Sequence, residues 1–533
     1  MAFTATKIPY SQTGYFSATV IDYLNEAPLL KPFYEHEVSV TGLADAINIR
    51  KKFSTHRNLI ADAFTGQYKL VDCPKLITAN IEALRKETTF TITTAHQPNI
   101  FTGPLYFIYK ILHAIKLAAY CAEQFPQYHF VPVYYMGSED ADLDELGHIY
   151  MNGEKLNWET EQTGAVGRMK IDKNLIGLIK TIAGEIGVLP HGSDIISIIR
   201  DCYTEGSSIQ DATFKLVHHL FGSYGLLVLI PDQANLKRAA IPVFKEDLLQ
   251  NNSANTVVKT GENLIETGYK AQAYSRDINF FYLIDNKRER IEKEESLWKV
   301  VNSEIFFSKE ELLAEIEIHP ERFSPNVILR GLFQEIILPN IAFIGGGGEL
   351  AYWLQLKDLF HHYKIPYPLL VLRNSFLLIN KKNNQIKNKL VIDDANLFQP
   401  LQTIQKVWIH KNSTKNLDVS KTISELDAVY KILGSQASDI DPTLQPHVEA
   451  LKTASLKKVK LLHNKMLRAE KRNHAVAMQQ TEKLKLQLFP NNNLQERIDN
   501  FLPWYALYGG NFIEKLYNST TALEQTFSIL AEE

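Results

Sequence analysis

Residues 91–118 of this 533-residue chain, TITTAHQPNIFTGPLYFIYKILHAIKLA, decide the fold class. The stretch starts with β-branched residues, continues through a polar loop and ends in apolar residues at helical spacing. Pro104 suits the first position of a helix and Gly103 suits the N-cap, so we predict a strand, a tight turn and then a helix starting here. A strand that leads directly into a helix is the repeating unit of an α/β fold.

Further short apolar runs follow along the chain and alternate with helical periods. Several are almost continuously apolar, which is typical of parallel strands covered on both faces. We therefore predict an α/β fold built on a parallel sheet. The predicted strands lie within residues 89–95, 129–137, 225–232, 340–349 and 368–375.

Composition excludes several classes of protein. The charged fraction is 22%, the hydrophobic fraction is 45% and the net charge is −3, as in ordinary globular proteins and without the basic excess that nucleic-acid binding needs. No run of eighteen apolar residues predicts a membrane span, and no apolar leader follows Met1. The three cysteines are widely separated and match no metal-ligand spacing, so we predict no metal site and a reduced, cytoplasmic location.

Changes in composition also predict the domain organisation. After residue 380 the β-rich runs stop, and Val459, Leu462, Met466, Ala469, Asn473 and Val476 follow a three-four spacing along a long helix. This stripe predicts a coiled coil, within one chain or between two, although it also fits a helix packed on its own domain. The predicted segments are residues 1–150 (core), 151–224 (helical connective insertion), 225–246 (core), 247–324 (second connective insertion), 325–380 (core), 381–490 (α-helical coiled coil) and 491–533 (a tail docking on the body).

The loop within residues 91–118 is the first candidate site. His96, Gln97 and Asn99 follow a predicted strand, at the edge where open α/β sheets bind ligands. The backbone amides near Thr102 and Gly103 favour an anion if they lie free at a helix start. We also expect Tyr106 and Lys110, on the following helix, to reach a ligand. The alternative is a polar loop that only caps its own helix.

An acidic segment, GSEDADLDELGHIY, follows the next predicted strand and is the second candidate site. If it is helical, Asp140, Asp144 and His148 share one face. Its carboxylates, including Glu139 and Asp142, could hold a substrate ammonium group or Mg²⁺, or one could act as a general base towards an amine. The alternative is a solvated acidic helix start, which the helix dipole favours anyway.

The third candidate site lies around four consecutive glycines near the last predicted strands. Glycines between a strand and a helix let the backbone approach a ligand closely, but this run matches neither phosphate-binding fingerprint and is a weak phosphate signal. Arginine suits a carboxylate because its guanidinium binds it through two hydrogen bonds. The candidate residues here are Arg330, Gln334, Gly345, Gly346, Gly347, Gly348, Glu349, Tyr352, Arg373, Asn374 and Ser375.

Five long blocks in these regions resemble, in the same order, those of the bacillithiol biosynthesis cysteine-adding enzymes, the BshC family. The resemblance covers nearly the whole chain. One departure is that family members carry a T-G-Q-Q type sequence where this chain has Thr94 to Gln97, so that Gln97 matches and His96 is a variant. The blocks are FTGPLYFIYKILHAIKLA, VPVYYMGSEDADLDELGHIY, SPNVILRGLFQEIILPNIAFIGGGGELAYWLQL, YPLLVLRNSF and LFPNNNLQERI.

The resemblance implies a Rossmann-like core with two helical connective segments, followed by an α-helical coiled coil that supports a homodimer. It implies that a cytoplasmic enzyme joins cysteine, through an amide bond, to the glucosamine nitrogen of glucosaminyl-malate. Amide formation in water needs an activated carboxylate, so ATP with Mg²⁺ is the expected cofactor, although the sequence shows neither the nucleotide nor the intermediate. We expect Asp140 or Asp142 to assist deprotonation of the amine, and Arg330 or Arg373 to stabilise developing negative charge.

Two other functions remain open from the sequence alone. One is a nucleotidyltransferase or synthetase-like enzyme that acts on another amino acid. The other is a non-catalytic scaffold of the thiol pathway whose coiled coil does the work. The family resemblance favours the ligase over both, with no role predicted in nucleic-acid or membrane binding.

Overall fold

The first strands and helix of the core form where residues 91–118 predict them. The structure, a computed structural model, describes residues 3–533. Strands β2 and β3 pair in parallel from Thr89 opposite His129 to His96 opposite Met136, and α5 crosses between them. Almost every side chain of both strands is buried. The elements up to this point are β1 (Phe3–Ile8), α1 (Ala18–Leu24), α2 (Val40–Arg50), α3 (Arg57–Gln67), α4 (Lys75–Ala83), β2 (Thr89–His96), α5 (Tyr106–Gln124) and β3 (His129–Met136).

The turn between β2 and α5 differs from the predicted one. Helix α5 begins at Tyr106, later than Gly103 and Pro104, because Phe101, Thr102 and Gly103 all have positive φ angles and make a separate tight turn. Positive φ is unfavourable for residues with a Cβ, by about 1–2 kcal/mol each. Contacts from the C-terminal part of the chain hold this turn, since the Leu105 amide donates to the Asp499 carbonyl at 2.8 Å.

The segment between β3 and β6 is mainly helical. Asp172 and Ser208 accept hydrogen bonds from backbone amides and so cap the N-termini of α7 and α9. A short antiparallel hairpin, β4 with β5, precedes these helices. The elements from here to the end of the following core segment are α6 (Leu143–Leu146), β4 (His148–Met151), β5 (Glu154–Asn157), α7 (Lys173–Ile186), α8 (Gly192–Cys202), α9 (Ile209–Phe221), β6 (Leu227–Leu229), α10 (Ala234–Arg238) and α11 (Ile241–Gln250).

The second connective segment contains an antiparallel sheet as well as helices, which differs from the wholly helical connection that the resemblance implied. Its strand order is β10-β9-β8-β7-β11. Strand β8 is charged except for the buried Ile291, and its side chains remain largely or partly exposed, as antiparallel sheets allow. The elements are α12 (Asn252–Glu266), β7 (Phe280–Ile284), β8 (Lys287–Glu294), β9 (Leu297–Val300), β10 (Phe306–Phe307), α13 (Lys309–Ile318) and β11 (Phe323–Pro325).

The last core segment completes a five-stranded parallel sheet in the order β13-β12-β2-β3-β6. Each of the five predicted apolar runs supplies one of its strands. Helices α2 and α5 pack on one face around Leu43, Ala114 and Ile341, and the larger core covers the other face. The remaining core elements are α14 (Val327–Ile337), β12 (Asn340–Gly345), α15 (Gly347–Trp353), α16 (Lys357–His362), β13 (Leu369–Leu372) and β14 (Ser375–Ile379).

The C-terminal part is a helical region whose last strand returns to the body. Strand β15 lies between β1 and β14 in a second sheet. No helix within residues 3–533 combines the length and apolar character that a membrane crossing requires. The elements are α17 (Lys381–Lys389), α18 (Leu401–Asn412), α19 (Ser420–Ile440), α20 (Gln445–Asn473), α21 (Ala475–Leu488), α22 (Leu502–Tyr508), α23 (Gly510–Ser519) and β15 (Phe527–Glu532).

Helices α19 and α20 pair with each other inside the chain. Tyr430 and Ser455 share a hydrogen bond of 2.7 Å, and Lys452 forms a salt bridge with Asp427 at 2.8 Å. The predicted apolar stripe does not form this contact. Leu462 is 59% exposed and Val476 is 68% exposed, while Asn473 donates to Glu470 of its own helix instead of fixing a register. Helix α20 ends at Asn473 and α21 begins at Ala475, so the helical period that the stripe assumed is interrupted between Asn473 and Val476.

Candidate active site

A cavity of about 320 Å³ opens at the carboxyl ends of the central strands. Residues after β2, β3 and β12 reach it because parallel strands all end at the same edge of the sheet. Residues from α5, α14, α15 and the segment after β13 complete its walls. The predicted site residues that line it are His96, Gln97, Tyr106, Lys110, Glu139, Asp140, Arg330, Gly346, Gly347, Gly348, Glu349, Tyr352 and Arg373.

Asp140 presents a carboxylate that is oriented but, among residues 3–533, has no cationic partner within salt-bridge distance. Its Oδ2 accepts a hydrogen bond from Gln97 Nε2 at 3.1 Å, and its Oδ1 accepts from the Asp142 amide at 3.3 Å. These two bonds join the loop after β2 to the loop after β3. Asp140 is therefore held towards the cavity with lone pairs remaining for a substrate proton.

Arg330 and Arg373 both line the cavity. Arg330 Nη2 donates to the Tyr352 hydroxyl at 2.8 Å, while its buried Nη1 has no hydrogen-bond partner among the described residues. Arg373 Nη2 donates to Glu496 Oε1 at 2.7 Å. A buried guanidinium nitrogen without a partner is costly, so Arg330 is arranged for an anionic ligand.

Sequence reasoning missed two further arginines, Arg288 and Arg497. Arg288 comes from β8 of the second connective segment, lies over the Phe281 ring at 3.8 Å and donates from Nε to Ser324 Oγ at 3.2 Å. Arg497 comes from the C-terminal region. The only sequence signal for Arg497 was its place in the block LFPNNNLQERI, and Arg288 lies in a charged run that looks like an ordinary solvated strand face.

His96 and Tyr106 form an uncharged part of the cavity wall. The two rings meet edge to face with centroids 5.2 Å apart. Burial, together with the charges of Lys110, Arg373 and Arg330, holds the pKa of His96 well below its usual range, so the imidazole is neutral at physiological pH. Burial also raises the pKa of Tyr106 to about 12, which keeps its hydroxyl protonated. Both residues therefore offer hydrogen bonds without adding charge.

Lys110 and Glu349 neutralise each other near the four glycines. Lys110 Nζ forms a salt bridge with Glu349 and donates to the Ala95 carbonyl at 2.7 Å. Glu349 also accepts from the Gly346 amide at 2.8 Å. The Gly346 amide is consequently occupied, and the absence of a side chain at Gly346 leaves space beside Arg373.

Glu139 belongs to a buried chain of ion pairs behind the cavity. Lys237 Nζ contacts both Glu139 and Asp232, and Arg168 binds Asp232 through two hydrogen bonds of 2.6 and 2.8 Å. Burial raises the pKa of Glu139, and the adjacent Lys237 opposes that rise. The network joins both connective segments to the core, because Lys237 also donates to the Glu321 carbonyl at 3.1 Å.

Several predicted residues lie outside the cavity in the turn and in the acidic segment. The Thr102 and Gly103 amides donate to the Asn99 and Ile100 carbonyls, so the structure corrects the predicted anion site there. Asn99 itself is buried and donates to the Glu145 carbonyl at 3.4 Å. The backbone amides of Thr102 and Gly103 therefore serve the turn and are not free for a ligand.

The predicted helical face of Asp140, Asp144 and His148 does not form. The helix spans only Leu143–Leu146, and His148 starts strand β4 with its Nδ1 bound to the Asp144 carbonyl at 2.8 Å. Asp142 is exposed and caps that short helix by accepting from the Glu145 amide at 3.1 Å. The structure therefore removes Asp142 and His148 from the candidate site.

The remaining predicted residues support the site from behind. Gln334 is fully buried and donates to Glu335 at 2.9 Å, and Gly345 is the last residue of β12. The Asn374 amide donates to His113 Nδ1 at 3.1 Å. Ser375 Oγ accepts from Arg373 Nη1 at 3.0 Å, so it fixes that arginine without lining the cavity. Within residues 3–533, no group of three or more His, Cys, Asp or Glu side chains is arranged to hold a metal ion.

Two family models together match nearly the whole chain. The model described as "Bacillithiol biosynthesis BshC, N-terminal Rossmann-like domain" matches residues 3–374, and that described as "Bacillithiol biosynthesis BshC, C-terminal coiled-coil domain" matches residues 376–532. This chain belongs to the BshC family. The match confirms the predicted Rossmann-like core and the predicted helical coiled-coil region of this BshC protein.

Relatives of similar length support the same assignment. A protein of Flavobacterium psychrophilum is 39% identical over 526 residues and covers 98% of both chains. One of Flavobacterium johnsoniae is 38% identical over 525 residues, covering 98% of this chain and 99% of its own. One of Christiangramia forsetii is 36% identical over 529 residues, 98% of both chains. Each carries the name "Putative cysteine ligase BshC", which agrees with the predicted class of enzyme, a ligase that forms carbon–nitrogen bonds.

Proposed function

We propose that this BshC protein joins cysteine to the glucosamine amine of glucosaminyl-malate through an amide bond. The observation that carries the proposal is the cavity itself, in which four guanidinium groups and the Asp140 carboxylate converge on one small volume. The name that the relatives carry supports a cysteine ligase. The identity of the acceptor is our inference from the pathway and from the charges of the site.

The charges of the two substrates complement those of the cavity. Cysteine brings one carboxylate, and the malate portion of the acceptor brings two. Arg288, Arg330, Arg373 and Arg497 offer guanidinium groups for carboxylates, which they bind best through paired hydrogen bonds. The sugar amine of the acceptor suits Asp140, whose lone pairs are only partly used.

We assign Asp140 the role of general base towards that amine. A positioned carboxylate contributes about 10²–10⁴-fold to proton transfer. Gln97 fixes the carboxylate orientation, and Arg330 offers its free Nη1 to the oxygen that gains negative charge as the amide bond forms. Asp142 has no part in this assignment, because its carboxylate caps a helix outside the cavity.

The cysteine carboxylate must be activated before the amine can attack it, and ATP with Mg²⁺ remains our expectation. The arginines of the cavity would suit phosphoryl oxygens as well as carboxylates. Assays with each nucleoside triphosphate in turn identify the nucleotide.

The same proposal includes a homodimer formed by the hairpin of α19 and α20. Large apolar side chains remain exposed on these helices, among them Ile432, Leu433, Ile440, Leu461 and Leu462. Exposed apolar groups of this kind mark interaction surfaces. Light scattering of the wild type and of the Ile432→Glu and Leu462→Glu variants tests the homodimer. A dimeric wild type with monomeric variants would support it, and a monomeric wild type would refute it.

A direct assay tests the ligase. Purified protein is incubated with cysteine, glucosaminyl-malate and each nucleoside triphosphate with Mg²⁺ in turn, and the condensed thiol is measured by mass spectrometry. We expect product with one nucleotide, loss of product with Asp140→Asn and normal product with the matched Asp142→Asn control. Absence of product under every condition, or product from another amino acid in preference to cysteine, would overturn the proposal.

A further inference from the structure

A segment of the C-terminal domain, residues 495–500, forms part of the wall of the cavity. Gln495 exchanges two hydrogen bonds with the Leu378 backbone in β14, of 2.9 and 3.2 Å. Asn500 Nδ2 donates to the Phe101 and Gly103 carbonyls in the turn after β2, at 2.9 and 2.6 Å. The segment thus joins two sides of the site that are distant in sequence.

Glu496 of this segment holds Arg373 in one orientation. The Glu496 side chain is fully buried. Its Oε1 accepts from Arg373 Nη2 at 2.7 Å, and its Oε2 accepts from the Phe376 amide at 3.2 Å. Arg373 Nη1 is bound to the Asn374 carbonyl and to Ser375 Oγ. Nη1 is therefore fully used and Nη2 is partly used, whereas Nε, which lies 3.8 Å from the place of a Cβ at Gly346, has no hydrogen-bond partner among the described residues.

The next residue, Arg497, lines the cavity beside Arg373. Among the residues that the structure describes, no carboxylate pairs with Arg497, and Glu496 is committed to Arg373. Burial and the adjacent Arg373 charge lower the pKa of Arg497, which reflects two neighbouring cations that share a single carboxylate. Two neighbouring arginines repel each other when no anion is bound, and a bound anion relieves this repulsion.

Asp140 supplies a carboxylate to the same cavity, where Gln97 orients it. An acceptor that carries both an amine and carboxylates is therefore expected to bind with its amine at Asp140 and its carboxylates at Arg373 and Arg497.

We propose that Arg373 and Arg497 form a two-cation subsite for the dicarboxylate portion of the acceptor, and that Glu496 is the positioning residue that aims Arg373 Nε into it. The identity of this acceptor rests on the proposed function. The subsite itself rests on the contacts of residues 495–497. We expect it to bind a small dicarboxylate that is not attached to a sugar.

The first test is calorimetric titration of the full-length protein with L-malate. We expect Arg497→Ala to weaken malate binding about 10-fold to 100-fold, as expected for one charge-assisted contact. Arg472→Ala, an exposed arginine on α20, is the matched control and should bind as the wild type does. Glu496→Asp keeps the charge but shortens the side chain, so we expect weaker malate binding with an unchanged melting temperature if the role is positioning.

The second test compares two acceptors, glucosaminyl-malate and methyl glucosaminide, which lacks the carboxylates. Arg497→Ala should raise KM for glucosaminyl-malate about 10-fold or more, and it should lower kcat/KM for glucosaminyl-malate at least 10-fold more than kcat/KM for methyl glucosaminide. Equal malate affinity in the wild type and Arg497→Ala would overturn the subsite. Malate binding that depends on Arg497 in a protein without ligase activity would retain the subsite and refute the proposed function.

A Glu496→Asp protein that binds malate as tightly as the wild type would overturn the positioning role. Part of the Arg497 side chain is exposed at the rim of the cavity, so the fold tolerates its replacement. Glu496 is buried, and its replacement is more disruptive to the fold. Should Glu496→Asp fail to fold, Ser375→Ala provides the second variant for the same role, because Ser375 Oγ binds Arg373 Nη1 from the other side. Unchanged malate affinity in a folded Ser375→Ala protein would likewise count against positioning of Arg373.

Discussion

Replacing Gly346 by alanine should block the approach of a carboxylate to Arg373. A Cβ at this position would lie 3.8 Å from Arg373 Nε and 3.5 Å from Glu349 Oε2, on the cavity side of both groups. The backbone angles of Gly346, φ −75° and ψ 170°, are accessible to alanine, so the fold tolerates the change. The methyl group removes one charge-assisted hydrogen bond, about 1.5–3 kcal/mol. We therefore expect KM for glucosaminyl-malate to rise about 10-fold to 150-fold.

The neighbouring Gly348 provides the matched control. It also lines the cavity, but a Cβ there has no atom within 4 Å. Steady-state kinetics followed by mass spectrometry of the thiol product should show wild-type KM for Gly348→Ala and an unchanged kcat for both variants. Wild-type KM in Gly346→Ala, or equal damage from the two substitutions, would refute the assignment of Arg373 Nε to substrate binding.

Three further predictions concern catalysis and stability. Asp140→Asn should lower kcat about 100-fold or more, whereas kcat of the control Asp142→Asn should stay within about 2-fold of the wild type. Single-turnover kinetics that show the same loss in both variants would contradict this prediction. Lys237→Met leaves Glu139 buried without its counter-charge and should lower the free energy of unfolding by about 3–5 kcal/mol, measured in urea; an unchanged midpoint would contradict it. Burial raises the pKa of Asp499 from its ordinary 3.8 to about 7 in the folded protein. The carboxyl group therefore ionises at a lower pH in the unfolded chain than in the folded protein, so the free energy of unfolding falls as the pH rises from about 4 to 7. Asp499→Asn should then be more stable than the wild type at pH 8, by at most about 4 kcal/mol, and equal melting curves at pH 8 would contradict it.

The strands and the strand-end residues were predictable because their signals are local. Continuous apolar runs specify buried strands, and a parallel sheet then brings the residues after each strand to one edge. This is why Gln97 and Asp140, which are 43 positions apart, could be assigned to neighbouring positions before their hydrogen bond was known. Arg373 follows from the same reasoning applied to the last strand.

Contacts between distant segments could not be predicted in this way. Arg288 reaches the cavity through an antiparallel sheet whose charged strand gives no sign of a ligand, and Arg497 reaches it through the docking of the C-terminal region. The anion site predicted at Thr102 and Gly103 failed for a related reason. The turn takes positive φ angles that depend on contacts with residues 499–500, so Pro104 does not begin the helix.

The hydrophobic stripe of the long helix shows the limit of periodicity. Its spacing assumes one uninterrupted helix, whereas a break at His474 separates Val476 from the rest of the stripe. Leu462 lies before the break and is exposed as well, so apolar spacing alone did not identify the face that packs. The inner face of the hairpin instead carries mixed residues such as Lys452 and Ser455, whose polar contacts with α19 have no apolar signature in the sequence.

A crystal structure of this BshC protein with glucosaminyl-malate tests the central claim most directly. The account predicts a single bound molecule in the cavity at the carboxyl ends of the central strands, with its amine within hydrogen-bond distance of Asp140 and its carboxylates on Arg373 and Arg497. Acceptor bound outside this cavity, or bound with its amine remote from Asp140, would contradict the account.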